Sequence, residues 1–157
     1  MKILKKIGWF LLFVFIIAQF FDPEKNEGEL TSLVPFINET NPPENVQKIL
    51  NETCFDCHSN VTKYPWYNRI TPVNYWMNDH IKVGKKKLNF SKWSDYSLKR
   101  KEHKFEEIYE EVEKKKMPLN SYTWVHAEAN LTQEQINEIV TWAKGIQVGY
   151  AQQLNAQ

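Results

Sequence analysis

The sequence predicts a mainly α-helical protein: one small helical domain preceded by an N-terminal hydrophobic helix. Three observations point there. Apolar residues recur at helical spacing in three segments of the body, no stretch alternates long enough to make a strand, and the first twenty-one residues hold an apolar run with no polar face. A length of 157 residues, 42% of them hydrophobic and 14% aromatic, leaves room for one packed domain and an appendage. The net charge is +1, which gives no footing for nucleic acid as a partner. Three lysines (Lys2, Lys5, Lys6) lie in the leader, so the rest carries 17 basic against 19 acidic residues and local charge clusters matter more than the total.

Residues 1–21 form the first unit. A lysine-bearing start precedes an unbroken apolar run from Ile7 to Ala18, extended by Phe20 and Phe21 past Gln19. That is the layout of an export signal, without a small-x-small cleavage site or a lipobox cysteine. An uncleaved signal anchor is the favoured reading and a cleaved signal peptide the other. Ile3 to Phe21 is about 19 residues, near the lower limit for crossing a bilayer. The lysines place the N-terminus in the cytoplasm and the body outside it, on the periplasmic side of a bacterial inner membrane.

Residues 22–41 are polar, with Pro23, Gly28 and Pro35, and read as a linker or lead-in, although Leu33-Val34-Pro35-Phe36 could pack on the body. The domain proper is expected over residues 42–149, with a tail over 150–157. Asn41-Pro42-Pro43-Glu44 reads as a helix start. Val46, Ile49 and Leu50 follow at helical spacing, so this helix should run straight into Cys54.

Cys54-Phe55-Asp56-Cys57-His58 is the most informative stretch. Its C-x-x-C-H spacing is the attachment pattern of c-type haem. Two thiols three positions apart on one helical turn can each add to a haem vinyl group, and the adjacent imidazole then lies under the iron. These are the chain's two cysteines, so haem attachment leaves neither a disulfide nor a four-thiolate zinc site.

From Ser59 to Trp93 the sequence is irregular and aromatic, broken by Pro65 and Pro72, and its aromatics suit a wall for a large apolar cofactor. A helix is expected over Asn74 to Val83, stopped by Gly84. Phe105, Ile108, Tyr109 and Val112 mark a second helix, ended by Pro118. Thr132 and Gln135 form a capping box. The last helix follows, lined by Ile136, Ile139, Val140 and Ala143 and ended by Gly145 or Gly149. Five Asn-x-Ser/Thr triplets read as compositional.

A second axial ligand is expected from Met117, in Lys116-Met117-Pro118-Leu119, where a helix gives way to a loop. A thioether favours ferrous iron, so a His/Met pair raises the reduction potential. His126 is the main rival, or a partner for a haem propionate. His80 could serve likewise, while His103 sits in a charged run and should be solvated. The runs Lys85–Lys87 and Lys114–Lys116 read as solvated helix ends, or else as a docking patch for an acidic redox partner protein.

Taken together, the chain resembles the haem-binding domain family of bacterial exported proteins and, more distantly, class I c-type cytochromes. The resemblance is carried by Cys54-Phe-Asp-Cys-His-Ser-Asn60, Tyr64-Pro-Trp-Tyr67, Ile70-Thr-Pro-Val73 with Trp76, His80 and Gly84, and Leu88-Asn-Phe-Ser91 with Trp93. Met117-Pro-Leu119, Tyr122, His126, Ala129-Asn-Leu-Thr132 and Trp142-Ala143 continue it. Met117-Pro118-Leu119 departs from the family's Met-Pro-Pro but keeps the sulfur. The resemblance implies a cytochrome c-like helical domain wrapping one covalent haem c, with Cys54 and Cys57 as attachment points and His58 as axial ligand. One-electron transfer at the membrane's outer face is the expected role. A peroxidase-like enzyme, a haem-based gas or redox sensor, and a dithiol redox pair without haem are the alternatives.

Overall fold

Helix α1 (Lys2–Ala18) stands away from the rest and buries none of its residues. The computed structural model describes residues 2–156. At about 1.5 Å per residue α1 is about 25 Å long, short of the ~30 Å hydrocarbon layer. No helix among the described residues is long and apolar enough to cross a membrane. The span expected over Ile3–Phe21 is corrected accordingly: the helix stops at Ala18, and Gln19 turns to the body. There the Gln19 side chain accepts from the Thr71 N–H (2.9 Å) and donates to the Thr71 carbonyl (3.2 Å).

Residues 22–41 are more than a linker. The Gly28 N–H donates to Asn60 O (2.7 Å) and the Thr62 N–H to Asn26 O (3.0 Å), clipping the lead-in to the chain beyond His58. A Cβ on Gly28 would come within 2.8 Å of Asn60 O, so this close approach requires glycine. Helix α2 (Val34–Thr40) then turns Phe36 into the centre of the core, where it is fully buried. Pro35, which suggested a linker, sits in the first turn of α2, a position where its missing N–H costs nothing. Asn41 is also reassigned. Its left-handed backbone (φ 37°) closes α2, and Pro43 rather than Asn41 precedes α3 (Glu44–Ile49).

Helix α3 continues through a π-helical turn (Leu50–Cys54) into α4 (Phe55–His58), as the spacing predicted. Helix α5 (Val73–Lys87) passes through Gly84 and ends at Lys87. Gly84 is therefore not a helix stop. A Cβ there would lie 2.6 Å from Cys57 O and 3.2 Å from Cys57 Cβ, so the missing side chain lets α5 press on the C-x-x-C-H turn.

Helix α6 (Leu98–Glu113) starts at Ser97, whose hydroxyl accepts from the Arg100 N–H. It ends before Pro118, in a turn with Lys115 left-handed (φ 54°). The Lys115 N–H bonds Val112 O (3.0 Å) and the Lys116 N–H bonds Glu111 O (2.9 Å), the Schellman pattern with lysine where glycine is usual. After α7 (Asn120–Thr123), α8 (Gln133–Asn155) opens on the capping box of Thr132 and Gln135. It runs through Gly145 and Gly149, and Tyr150, placed in the tail by sequence, is buried and donates to Glu39 (2.6 Å). Neither glycine stops α8, because a single glycine weakens a helix by only about 1 kcal/mol.

The chain is mainly helical, with no strand among the described residues and one isolated antiparallel bridge, Glu27 to Val61. Helices α6 and α8 pack along each other, and α3 meets α8. An aromatic cluster fills the core. Phe36 meets Phe55 edge-on (6.3 Å), Trp93 edge-on (5.1 Å) and Phe90 (4.5 Å), and Phe105 meets Trp142 (5.2 Å). Such pairs add roughly 0.5–1.5 kcal/mol each beyond the area they bury.

Candidate functional site

Phe55, the first spacer of C-x-x-C-H, is buried against Phe36 and Phe90. That anchor fixes the turn and leaves Cys54, Cys57 and His58 half-buried at its edge. The π-helical turn ending at Cys54 inserts one extra residue, a distortion frequent at functional sites. Both cysteines are free thiols. Burial, with a smaller push from neighbouring charge, raises the Cys54 thiol to about 12 and the Cys57 thiol to about 11. A reactive dithiol pair is favoured by the opposite shift, towards thiolate.

His58 is oriented for a ligand. Its Nδ1 lies 3.1 Å from Leu88 O. A carbonyl only accepts, so Nδ1 carries the proton and Nε2 keeps its lone pair. Burial lowers the His58 pKa and so favours the neutral ring, against the opposing effect of the Leu88 bond. A metal-binding histidine commonly has its other nitrogen held this way. The Leu88 carbonyl is itself held, because the next residue's N–H donates to Tyr96 Oη (2.9 Å) and the Asn89 amide donates to Asn60 Oδ1 (2.9 Å).

A narrow apolar cleft lies beside Cys57. Trp76, Met77, His80 and Ile81 of α5 form one wall, Leu119, Tyr122, Val125 and His126 the facing wall, and Pro65 and Tyr67 the rim. Trp76, Leu119 and Val125 remain exposed within it, which is apolar surface that a flat hydrophobic cofactor would cover. The donor set and the apolar lining are of the kind that haem requires, and Cys57 belongs to both. Cys54 and Cys57 would carry its two thioether links and His58 Nε2 would take the iron. The group would supply a one-electron iron couple.

Met117 is half-buried against the hydrophobic core, as Cys54 is. Neither Met117 nor His58 lines the cleft, which opens on the Cys57 side. The loop that carries Met117 contributes Leu119 and Tyr122 to the wall. His126 is engaged at both nitrogens, with Glu128 Oε1 at 3.1 Å from Nδ1 and Tyr67 Oη at 2.7 Å from Nε2. His80 has Nδ1 2.8 Å from Trp76 O, and its Nε2 has no hydrogen-bond partner among the described residues.

Sequence reasoning did not anticipate Asp56, the second spacer of the motif. It is buried and accepts from the Tyr122 hydroxyl (2.9 Å) and the Lys63 N–H (3.0 Å). Tyr122 stacks on His126 (4.2 Å), so one polar chain ties the loop after Met117 to the C-x-x-C-H turn. The carboxylate and burial together drive the Tyr122 pKa up and keep the phenol protonated as a donor. Asp56 carries no local sequence signal, because its partner lies 66 residues away.

Among known families, the one described as "Haem-binding domain" matches residues 13–145, most of the chain. No curated protein and no solved structure matches.

Proposed function

The chain belongs to the haem-binding domain family, and from that premise we propose that it is a c-type electron carrier on the outer face of a bacterial inner membrane. The haem is attached through Cys54 and Cys57, with His58 and Met117 as axial ligands. The observation that carries this reading is His58: its Nδ1 is tied to Leu88 O at 3.1 Å, beside two free thiols on the same turn. Support for Met117 comes from its loop, which is fastened to the turn by Tyr122 and Asp56. The leader of residues 1–21 exports the body to the compartment where haem is attached, and tethers it there. A redox partner protein exchanges single electrons at the cleft edge.

The test is an optical spectrum of the full chain made with a cytochrome c maturation system. A far-red thioether-to-ferric charge-transfer band is expected, and Met117→Leu should abolish it while keeping the haem. An unchanged spectrum in Met117→Leu would rule the sulfur out. His80, with its free Nε2 in the cleft, is the second reading for that position, and loss of low-spin character in His80→Gln alone would establish it.

A further inference from the structure

We propose that the face formed by Phe20, Phe21, Trp66, Ile70 and Tyr75 rests on the surface of a lipid bilayer, with its aromatic rings at the headgroup level. This rests on the tether reading above and adds a fixed orientation to it.

The junction between α1 and the body has no slack. Gln19 brackets Thr71 with two hydrogen bonds (2.9 and 3.2 Å), directly after the helix ends at Ala18. Three residues later Asp22 accepts from the buried Asn74 amide (2.9 Å). A flexible linker would let the body tumble beside the membrane, whereas this clamp sets which face looks along the apolar helix.

That face is apolar and aromatic. Phe20 and Phe21, between the clamp residues, are exposed, Phe20 by 82%. Ile70 and Tyr75, which flank Thr71 and Asn74, are exposed as well. Trp66, 76% exposed, opens the single helical turn (Trp66–Arg69) before Ile70. Tryptophan and tyrosine prefer the membrane–water interface, where the ring is sheltered and its polar atom stays wet.

Two observations favour lipid over a protein groove. Helix α1 is exposed along its length, and its run from Ile7 to Ala18 is apolar on every side. One groove would cover only a stripe of it, whereas lipid covers it all. Its length is the second. The apolar run from Ile7 to Ala18 is about 18 Å long, too short to cross the ~30 Å hydrocarbon layer, so its flank of Phe20, Phe21 and the aromatic face stays at the interface.

The test reconstitutes the full haem-loaded chain into phosphatidylcholine–phosphatidylglycerol vesicles, with a nitroxide attached at Trp66→Cys or at Tyr75→Cys, both at exposed positions. The protein should float with the vesicles, and both nitroxides should become several-fold less accessible to a water-soluble nickel chelate than in the lipid-free protein. Flotation with nickel accessibility unchanged at both positions would overturn the proposed orientation and leave the tether standing. Failure to float would overturn both.

Discussion

Gly84→Ala is the most direct probe of how the helices hold the C-x-x-C-H turn. The added Cβ would meet Cys57 O at 2.6 Å, with Cys57 C and Cβ at 3.2 Å. Ordinary contact begins near 3.4 Å, so α5 must retreat by at least about 0.8 Å from backbone atoms that cannot swing aside. Overpacking of this kind costs about 1–3 kcal/mol. Alanine returns roughly 0.5–1 kcal/mol through its helix preference, which leaves a net loss of up to ~2.5 kcal/mol. The Leu88 N–H bonds Gly84 O (2.9 Å), so the retreat also draws the Leu88 carbonyl from His58. Gly145→Ala is the control: it too lies inside a helix, with nothing within 4 Å of its added Cβ. It should gain up to about 1 kcal/mol. Denaturant unfolding of the two variants, with the haem spectrum recorded alongside, measures both effects. If Gly84→Ala proved as stable as Gly145→Ala, with an unperturbed spectrum, the close approach of α5 to Cys57 would be refuted.

Two further outcomes follow from the packing. Lys115→Gly should stabilise the fold by about 1 kcal/mol, because lysine occupies the left-handed position (φ 54°) where glycine carries no Cβ penalty; thermal unfolding of the variant measures it. Glu39 accepts from Lys101 (2.8 Å) and Tyr150 (2.6 Å). Burial alone would raise its pKa, but those two hydrogen bonds and the lysine charge outweigh burial and lower it. A carboxylate lowered on folding stabilises above its unfolded value, and that stability is lost as pH falls through the folded value. Glu39→Gln should therefore cost up to about 1 kcal/mol at neutral pH, the pair being partly exposed. The difference should vanish in acid below the ordinary carboxylate range, as unfolding curves across pH would show.

Much of the fold was legible because local rules agreed with the tertiary outcome. The capping box at Thr132 starts α8, and the spacing of Phe105 to Val112 lies within α6. The run from Val46 into Cys54 is helical as read. Several differences have one cause: glycine and proline read as punctuation in the sequence, while in the fold they serve packing or lie inside a helix. Gly84 serves the approach to Cys57, Pro35 opens α2, and Gly145 and Gly149 lie inside a helix that continues because Tyr150 packs beyond them. The proposed site is legible in the sequence where its residues are consecutive, at Cys54, Cys57 and His58. The Leu88 carbonyl on His58 and the Tyr122–Asp56 bond stayed hidden, because each joins residues far apart in the chain.

Covalent haem on this polypeptide is the claim on which the electron-carrier account stands. Acid–acetone extraction of the purified full chain from a maturation-competent host tests it in one step. The account predicts that the colour stays with the protein, and that Cys54→Ala and Cys57→Ala each change the absorption band of the reduced pyridine complex towards that of a haem with one free vinyl group. Haem that partitions wholly into the solvent, or that never binds, would contradict it.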